Sequence, residues 1–236
     1  MILTILGNNG PFPAPGGACS GYLLESDSGN TRILIDCGTG SLANLNRWCK
    51  PHELSAIVLT HLHFDHVSDM LPMKYQLDMS PIVSMPVYAP DAPAPVVNVL
   101  RGGKLDLYPA EDVTVGEMRI SFLPAVHPVK ANSECVECDG KKFVFTGDTN
   151  ENPPLELFAD GADLLLADAG FLEKDWLAGK PHLSALKCGQ LAKSVGAKQL
   201  VLTHLNPNYD PADLLAEAQT AYPAAELAEI SRRFVI

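Results

Sequence analysis

The chain has 236 residues, 47% of them hydrophobic and 19% charged, a balance that supports a buried core and excludes an intrinsically disordered chain. Its net charge is −11, with Arg232-Arg233 and Lys141-Lys142 as the adjacent basic pairs, so a long nucleic-acid backbone is disfavoured as a partner while a small anionic substrate is not. No apolar run reaches the roughly 18 residues that span a bilayer, and Met1–Gly7 reads as a strand ending at a glycine rather than a signal peptide, so a cytoplasmic protein without a membrane partner is expected.

In chain order, Ile2–Leu6, Gly21–Glu25 and Arg32–Asp36 are short apolar runs bounded by Gly, Pro, Asn and Ser, and read as strands. The Gly- and Pro-rich loop Gly7–Ala18 between the first two is long enough to lie over a pocket. Ser41–Cys49 has helical spacing, with Leu42, Leu45 and Trp48 on one face. Ala56–Thr60 is a short buried strand, and Val67–Leu77 reads as a helix. The Pro-rich stretch Pro81–Pro95 leads toward a small helix near Val96–Arg101. Strands follow at Asp106–Tyr108, Met118–Val126, Ser133–Glu137 and Lys142–Thr146. Strand and helix then alternate: Asp163–Asp168, Ser184–Val195, Gln199–Thr203, Asp210–Ala221 and a last strand near Arg233–Ile236. Without repeats or a linker, residues 1–236 read as one domain of two packed sheets with helices outside.

The six cysteines are scattered, as buried thiols are. Cys135 and Cys138 have the spacing of a metal knuckle or redox pair, but no second pair exists to complete four zinc ligands. Asp139-Gly140 follows directly and favours a type I′ hairpin turn, which places both cysteines on a strand.

Histidine placement carries the chemistry. His61, His63 and His66 fall within six residues, with Asp65 among them, at the end of an apolar strand. Imidazole and carboxylate are the ligands that zinc, manganese and iron take from proteins. Side chains two apart in an extended segment face the same way, so His61 and His63 can share one ion, while Asp65 and His66 start the following helix and can face a second. His127, Asp148 and His204 each follow a further predicted strand, where α/β folds assemble their sites. Together they point to a shared site rather than to unrelated structural residues.

With these pieces in place, the chain resembles the metallo-β-lactamase superfamily. The matching residues are His61-Leu62-His63-Phe64-Asp65-His66, His127, Thr146-Gly147-Asp148-Thr149 and Leu202-Thr203-His204, in the family's order. The resemblance implies an α/β (α+β) fold, a four-layer αββα sandwich, with a dinuclear site between the sheets. It implies that His61, His63 and His127 hold one metal, that Asp65, His66 and His204 hold the other, and that Asp148 bridges them. Asp36 matches the family's buried aspartate beneath the site. The cofactors implied are two divalent ions, zinc foremost, with manganese or iron also compatible.

Pro181-His182-Leu183-Ser184-Ala185 resembles the ribonuclease Z and cyclic-nucleotide phosphodiesterase branch, in which a histidine at this point donates a proton to the leaving oxygen. Ser184 is also a good helix N-cap. Ribonuclease Z carries a long tRNA-gripping arm between the positions matching His127 and Asp148. The interval here holds a plain hairpin, so tRNA 3′ processing is not expected. The branch implies a phosphodiesterase acting on small phosphodiesters such as cyclic nucleotides. Hydroxide held between the ions would attack phosphorus, Asp65 would orient the nucleophile or take its proton, and His182 would act as general acid. Asp168 ends its strand where it can orient a histidine or serve as a structural carboxylate, and Asn132 and Ser133 can touch the substrate phosphate or serve as turn residues. A lactone or thioester hydrolase on the same scaffold and a non-catalytic metal-binding protein are the alternatives; a homodimer fits the branch.

Overall fold

A computed structural model describes residues 1–236. The first half runs β1 (Ile2–Gly7), β2 (Gly21–Glu25), β3 (Arg32–Cys37), α1 (Ser41–Leu45), β4 (Ala56–Val58), α2 (Phe64–Val67), α3 (Met70–Asp78), β5 (Met85–Ala89), α4 (Ala94–Leu100) and β6 (Leu105–Pro109). The second half runs β7 (Val113–Val115), β8 (Met118–Pro124), β9 (Asn132–Cys138), β10 (Lys141–Phe145), α5 (Pro153–Ala159), β11 (Leu164–Asp168), α6 (Ala185–Ser194), β12 (Leu200–Thr203), α7 (Pro211–Gln219), β13 (Glu226–Leu227) and β14 (Arg233–Val235). One sheet has the order β14-β1-β2-β3-β4-β5-β6, the other β13-β12-β11-β10-β9-β8-β7.

Strand alternation builds the layers. In β3, Ile33 and Ile35 face the core between the sheets, where Phe143, Phe145 and Leu166 meet them. Leu34 faces the opposite way, onto Leu45 and Met73 of the first helical layer. In β11, Leu165 and Ala167 pack outward with Cys188 and Leu214 of the second helical layer. Strands covered on both faces are apolar on both faces, which is why these segments are continuously hydrophobic. The result is the αββα sandwich of the metallo-β-lactamase fold. No helix is long and apolar enough to cross a membrane.

Several local expectations change. The helix from Ser41 ends at Leu45, so Trp48 does not share the buried face of Leu42 and Leu45; it is 38% exposed. The helix expected over Val67–Leu77 divides into α2 and α3 at Ser68-Asp69, where Asp69 turns its carboxylate to the Leu42 amide at 3.0 Å. The Pro-rich stretch contains a strand, β5. Its ladder to β4 starts at Ile57–Val87, so Pro86 stands outside it and leaves no donor missing there. β7, α5 and β13 went unread because each is too short to show a period.

Asp139 and Gly140 both have positive φ, 51° and 71°, as a type I′ turn requires. Three residues apart on one strand, Cys135 faces the second helical layer and Cys138 the inter-sheet core, so they cannot share a ligand. Ser184 caps α6 by accepting from the Lys187 amide.

Candidate metal centre

Five strands deliver the site. β3, β4, β10, β11 and β12 all end at the same edge of the sandwich, through the parallel pairings of β3 with β4 and of β10 with β11 and β12. Asp36, His61, Asp148, Asp168 and His204 lie at or just beyond those ends. His127 arrives from the loop after β8, and Asp65 and His66 sit on α2. Asp36 and His204 hold positive φ of 55° and 53°, an uncommon conformation without glycine that clusters at functional sites.

Two groups of donors converge. In the first, His61 Nε2 is 3.0 Å and His127 Nε2 3.2 Å from His63 Nδ1. In the second, His66 Nε2 stands 3.2 Å and His204 Nε2 3.3 Å from Asp148 Oδ2, and His204 Nε2 lies 3.2 Å from Asp65 Oδ2. Asp148 Oδ2 also stands 3.6 Å from His61 Nε2, so it touches both groups. Tetrahedral coordination with bonds of about 2.1 Å spaces ligand atoms by roughly 3.4 Å, and these spacings fit it. Within this fully buried second group, His66 Nε2 and Asp148 Oδ1 have no hydrogen-bond partner. Buried polar atoms are rarely left so; a cation satisfies them. The residues present therefore suit two divalent ions.

The opposite ring nitrogens are held. His66 Nδ1 donates to Asp36 at 2.7 Å, His61 Nδ1 meets the Thr60 hydroxyl at 3.1 Å, and His127 Nδ1 donates to the Pro181 carbonyl at 3.2 Å. His204 is the exception: its Nδ1 faces Asp168 Oδ1 at 3.4 Å without a hydrogen bond, whereas the other three are held. Such contacts fix which nitrogen faces the ion. Asp36 also accepts from the amide and hydroxyl of Thr60, which makes it the support expected beneath the site.

Electrostatics agree with the geometry. Burial opposes ionisation of Asp148, but His204, His66 and His61 outweigh it and hold the carboxyl well below its usual range. Burial together with the neighbouring His66 pushes the His61 imidazole well below its usual value, leaving a neutral ligand. Asp148 and its partner carboxylates overcome burial and hold His66 and His204 well above theirs.

Asp168 and His182 form a third element. His182 Nδ1 donates to Asp168 Oδ2 at 2.8 Å, and its ring stacks on His204 with centroids 4.7 Å apart. Asp168 also accepts from the amides of Thr149 and Gly170. Its lone pairs are thus committed to positioning His182, although Asp168 and His182 also lie within ligand distance of Asp148 and His204.

Contrary to the expectation from the sequence, Ser133 is fully buried and its hydroxyl donates to the Thr146 carbonyl at 2.6 Å, so it joins strands and does not reach a substrate. Asn132 is buried at the start of β9, where its amide donates to the Thr60 carbonyl and ties the two sheets together beside the site.

Three residues went unread in the sequence. Gly10, in the loop over the site, packs directly on His204: a Cβ there would lie 1.9 Å from Nε2. Its only signal was the Gly- and Pro-rich loop itself. Asn150 is buried two residues after Asp148, and its Nδ2 donates to the carbonyls of Leu177, Ala178 and Lys180. Its place after the Gly-Asp-Thr run was the available cue. Glu134 is fully buried with neither carboxylate oxygen partnered, and burial, reinforced by Asp36, pushes its carboxyl well above the usual range.

Known proteins share this arrangement. The family model described as "Beta-lactamase superfamily domain" matches residues 31–205. The probable metallo-hydrolase YhfI of Bacillus subtilis is 31% identical, over 94% of each chain. Its crystal structure superposes with a TM-score of 0.92 and 29% identity, over 99% of each chain. A ribonuclease Z of Methanopyrus kandleri is 24% identical, over 97% of this chain and 95% of that one. The short form of human tRNase Z shares the fold, with a TM-score of 0.76 and 20% identity over 100% of this chain and 99% of that one. On its sequence, its sandwich and its converging histidines and aspartates, the chain belongs to the beta-lactamase superfamily.

Proposed function

We propose that this metallo-hydrolase of the beta-lactamase fold is a phosphodiesterase for small phosphodiesters, cyclic nucleotides among them. The observation that carries the reading is the His182–Asp168 pair, held at 2.8 Å beside the two converging donor groups. A phosphodiester has a poor leaving group, and its departing oxygen needs a proton that lactone opening demands less.

His61, His63 and His127 would hold one ion, and Asp65, His66 and His204 the other, with Asp148 between them. Zinc suits this donor set, and manganese or iron is compatible with it. Bound there, divalent ions supply positive charge to the phosphoryl oxygens and acidify a water. Asp65 would orient such a water and take its proton; burial opposes its ionisation, but the His204 contact and His66 keep its carboxyl below the usual range. Asp168 fixes His182 through Nδ1, so that Nε2 is the nitrogen left to deliver a proton to the leaving oxygen. Hydrolysis adds water across one P–O bond, giving a phosphomonoester and an alcohol. The absence of an arm from the hairpin joining β9 and β10 supports small substrates over tRNA, as does the net charge of −11.

The test is turnover of bis-p-nitrophenyl phosphate, 2′,3′- and 3′,5′-cyclic nucleotides, a lactone, a thioester and a cephalosporin, with zinc and manganese supplied separately. Phosphodiester cleavage that His182→Ala lowers by on the order of 10²-fold, with metal content retained, is the expected result. Activity confined to lactones or thioesters, or an unchanged rate in His182→Ala, overturns the reading.

A further inference from the structure

We propose that Lys180 is a substrate-recognition cation beside His182, selecting phosphodiesters whose leaving alcohol carries a second anionic group such as a further phosphate. The inference rests on the phosphodiesterase reading above and names the substrate class within it.

Lys180 is half-buried and forms no ion pair. Its ammonium stands over the Phe171 ring, 4.7 Å from the centroid. The Phe171 ring lies 5.8 Å from that of His182. One aromatic ring thus touches both the proposed acid and a free cation, which places the ammonium within a nucleotide's length of the imidazole. A cation resting on an aromatic face keeps its N–H donors for an incoming anion.

The segment that carries Lys180 is fastened at several points. Lys180 closes a turn by donating its amide to the Leu177 carbonyl at 2.9 Å. Asn150 reaches across from the loop after β10 to the carbonyls of Leu177, Ala178 and Lys180. His127, one of the converging imidazoles, donates to the Pro181 carbonyl, and Trp176 Nε1 donates to the His182 carbonyl at 3.1 Å. This backbone is a wall of the site, so less ordering entropy opposes binding than on a free loop.

Position sets the preference. The non-bridging oxygens of a bound phosphodiester face the converging metal ligands, and the leaving oxygen faces His182. The ammonium beyond His182 therefore meets the leaving group. An anion on that part of the substrate finds its complement at Lys180.

The experiment compares adenylyl-(3′→5′)-adenosine with and without a terminal 3′-phosphate, using metal-loaded wild type, Lys180→Gln and Lys180→Arg. Wild type is expected to prefer the phosphorylated dinucleotide. Lys180→Gln should lower that kcat/KM ratio by on the order of tenfold, as loss of one charge-assisted hydrogen bond does, and Lys180→Arg should largely keep it. As a second readout, adenosine 3′,5′-bisphosphate should protect Lys180, but not Lys174 or Lys193, from amine acylation followed by mass spectrometry. An unchanged ratio in Lys180→Gln, or no protection, overturns the assignment. If neither dinucleotide is cleaved while protection persists, the phosphodiesterase reading fails and the anion contact at Lys180 stands.

Discussion

Replacing Gly10 with alanine adds a single methyl group, and it falls on the imidazole of His204, one of the converging donors. The new Cβ would lie 1.9 Å from His204 Nε2, 2.1 Å from Cε1 and 2.3 Å from Cδ2, against 3.4–4 Å for ordinary contact. One partner must move by about 1.5 Å to restore contact distance. The loop is held where it is, with Gly10 donating to the Leu205 carbonyl, Leu205 donating to Asn8, and Asn8 and Asn9 donating to Ala18. His204 is held by Asp65 and Asp148 in a left-handed backbone conformation. Overpacking of this kind costs roughly 1–3 kcal/mol, which lowers Tm by several degrees in a chain of this size. The larger consequence is local, because a ligand shifted by more than an ångström leaves its ion's coordination sphere. The expected outcome is a folded protein whose second metal equivalent binds at least about tenfold more weakly, the scale on which disturbed ligand support acts. Metal stoichiometry by elemental analysis and titration against a chromophoric chelator would measure it, with circular dichroism as the folding check. Gly179→Ala is the control, since nothing lies within 4 Å of a Cβ there. Two metals bound by Gly10→Ala with wild-type affinity would refute the argument.

Asp148→Ala removes the oxygen shared by both donor groups, and should lower metal content below two equivalents per chain; full retention counts against the bridging role. Glu134 has a folded-state pKa held above the ordinary 4.5, so it stays protonated in the native state while the unfolded chain ionises. The native state then binds the extra proton, and this group's contribution to stability falls as pH rises from about 4.5 toward the elevated value. Glu134→Gln should flatten that decline and gain stability at neutral pH relative to wild type, read as denaturation midpoints from pH 4 to 8; parallel profiles would show that the carboxyl is satisfied and ionised.

His61-Leu62-His63-Phe64-Asp65-His66 was legible because its ligands are packed into a few residues after an apolar strand. His127, Asp148 and His204 were legible only as strand-end residues, each unremarkable alone. Trp48 was misassigned because helical spacing continued past the point where the helix stops. Pro86 concealed a strand because proline is a reliable breaker except where its side of the ladder is unpaired. Ser133 looked available beside His127, but alternation along β9 turned its hydroxyl inward.

The sequence by itself determined the layers and the ligand types. Apolar runs on both faces of β3 and β11 require cover on both sides, and that is a local property of residue order. Tertiary structure alone decided which ligands meet. Asp148 touches both donor groups, Asp168 holds His182, Gly10 rests on His204 and Asn150 fastens the Lys180 turn. Each of these contacts joins residues brought together by two sheets closing on one edge, and no spacing along the chain encodes a distance across that edge.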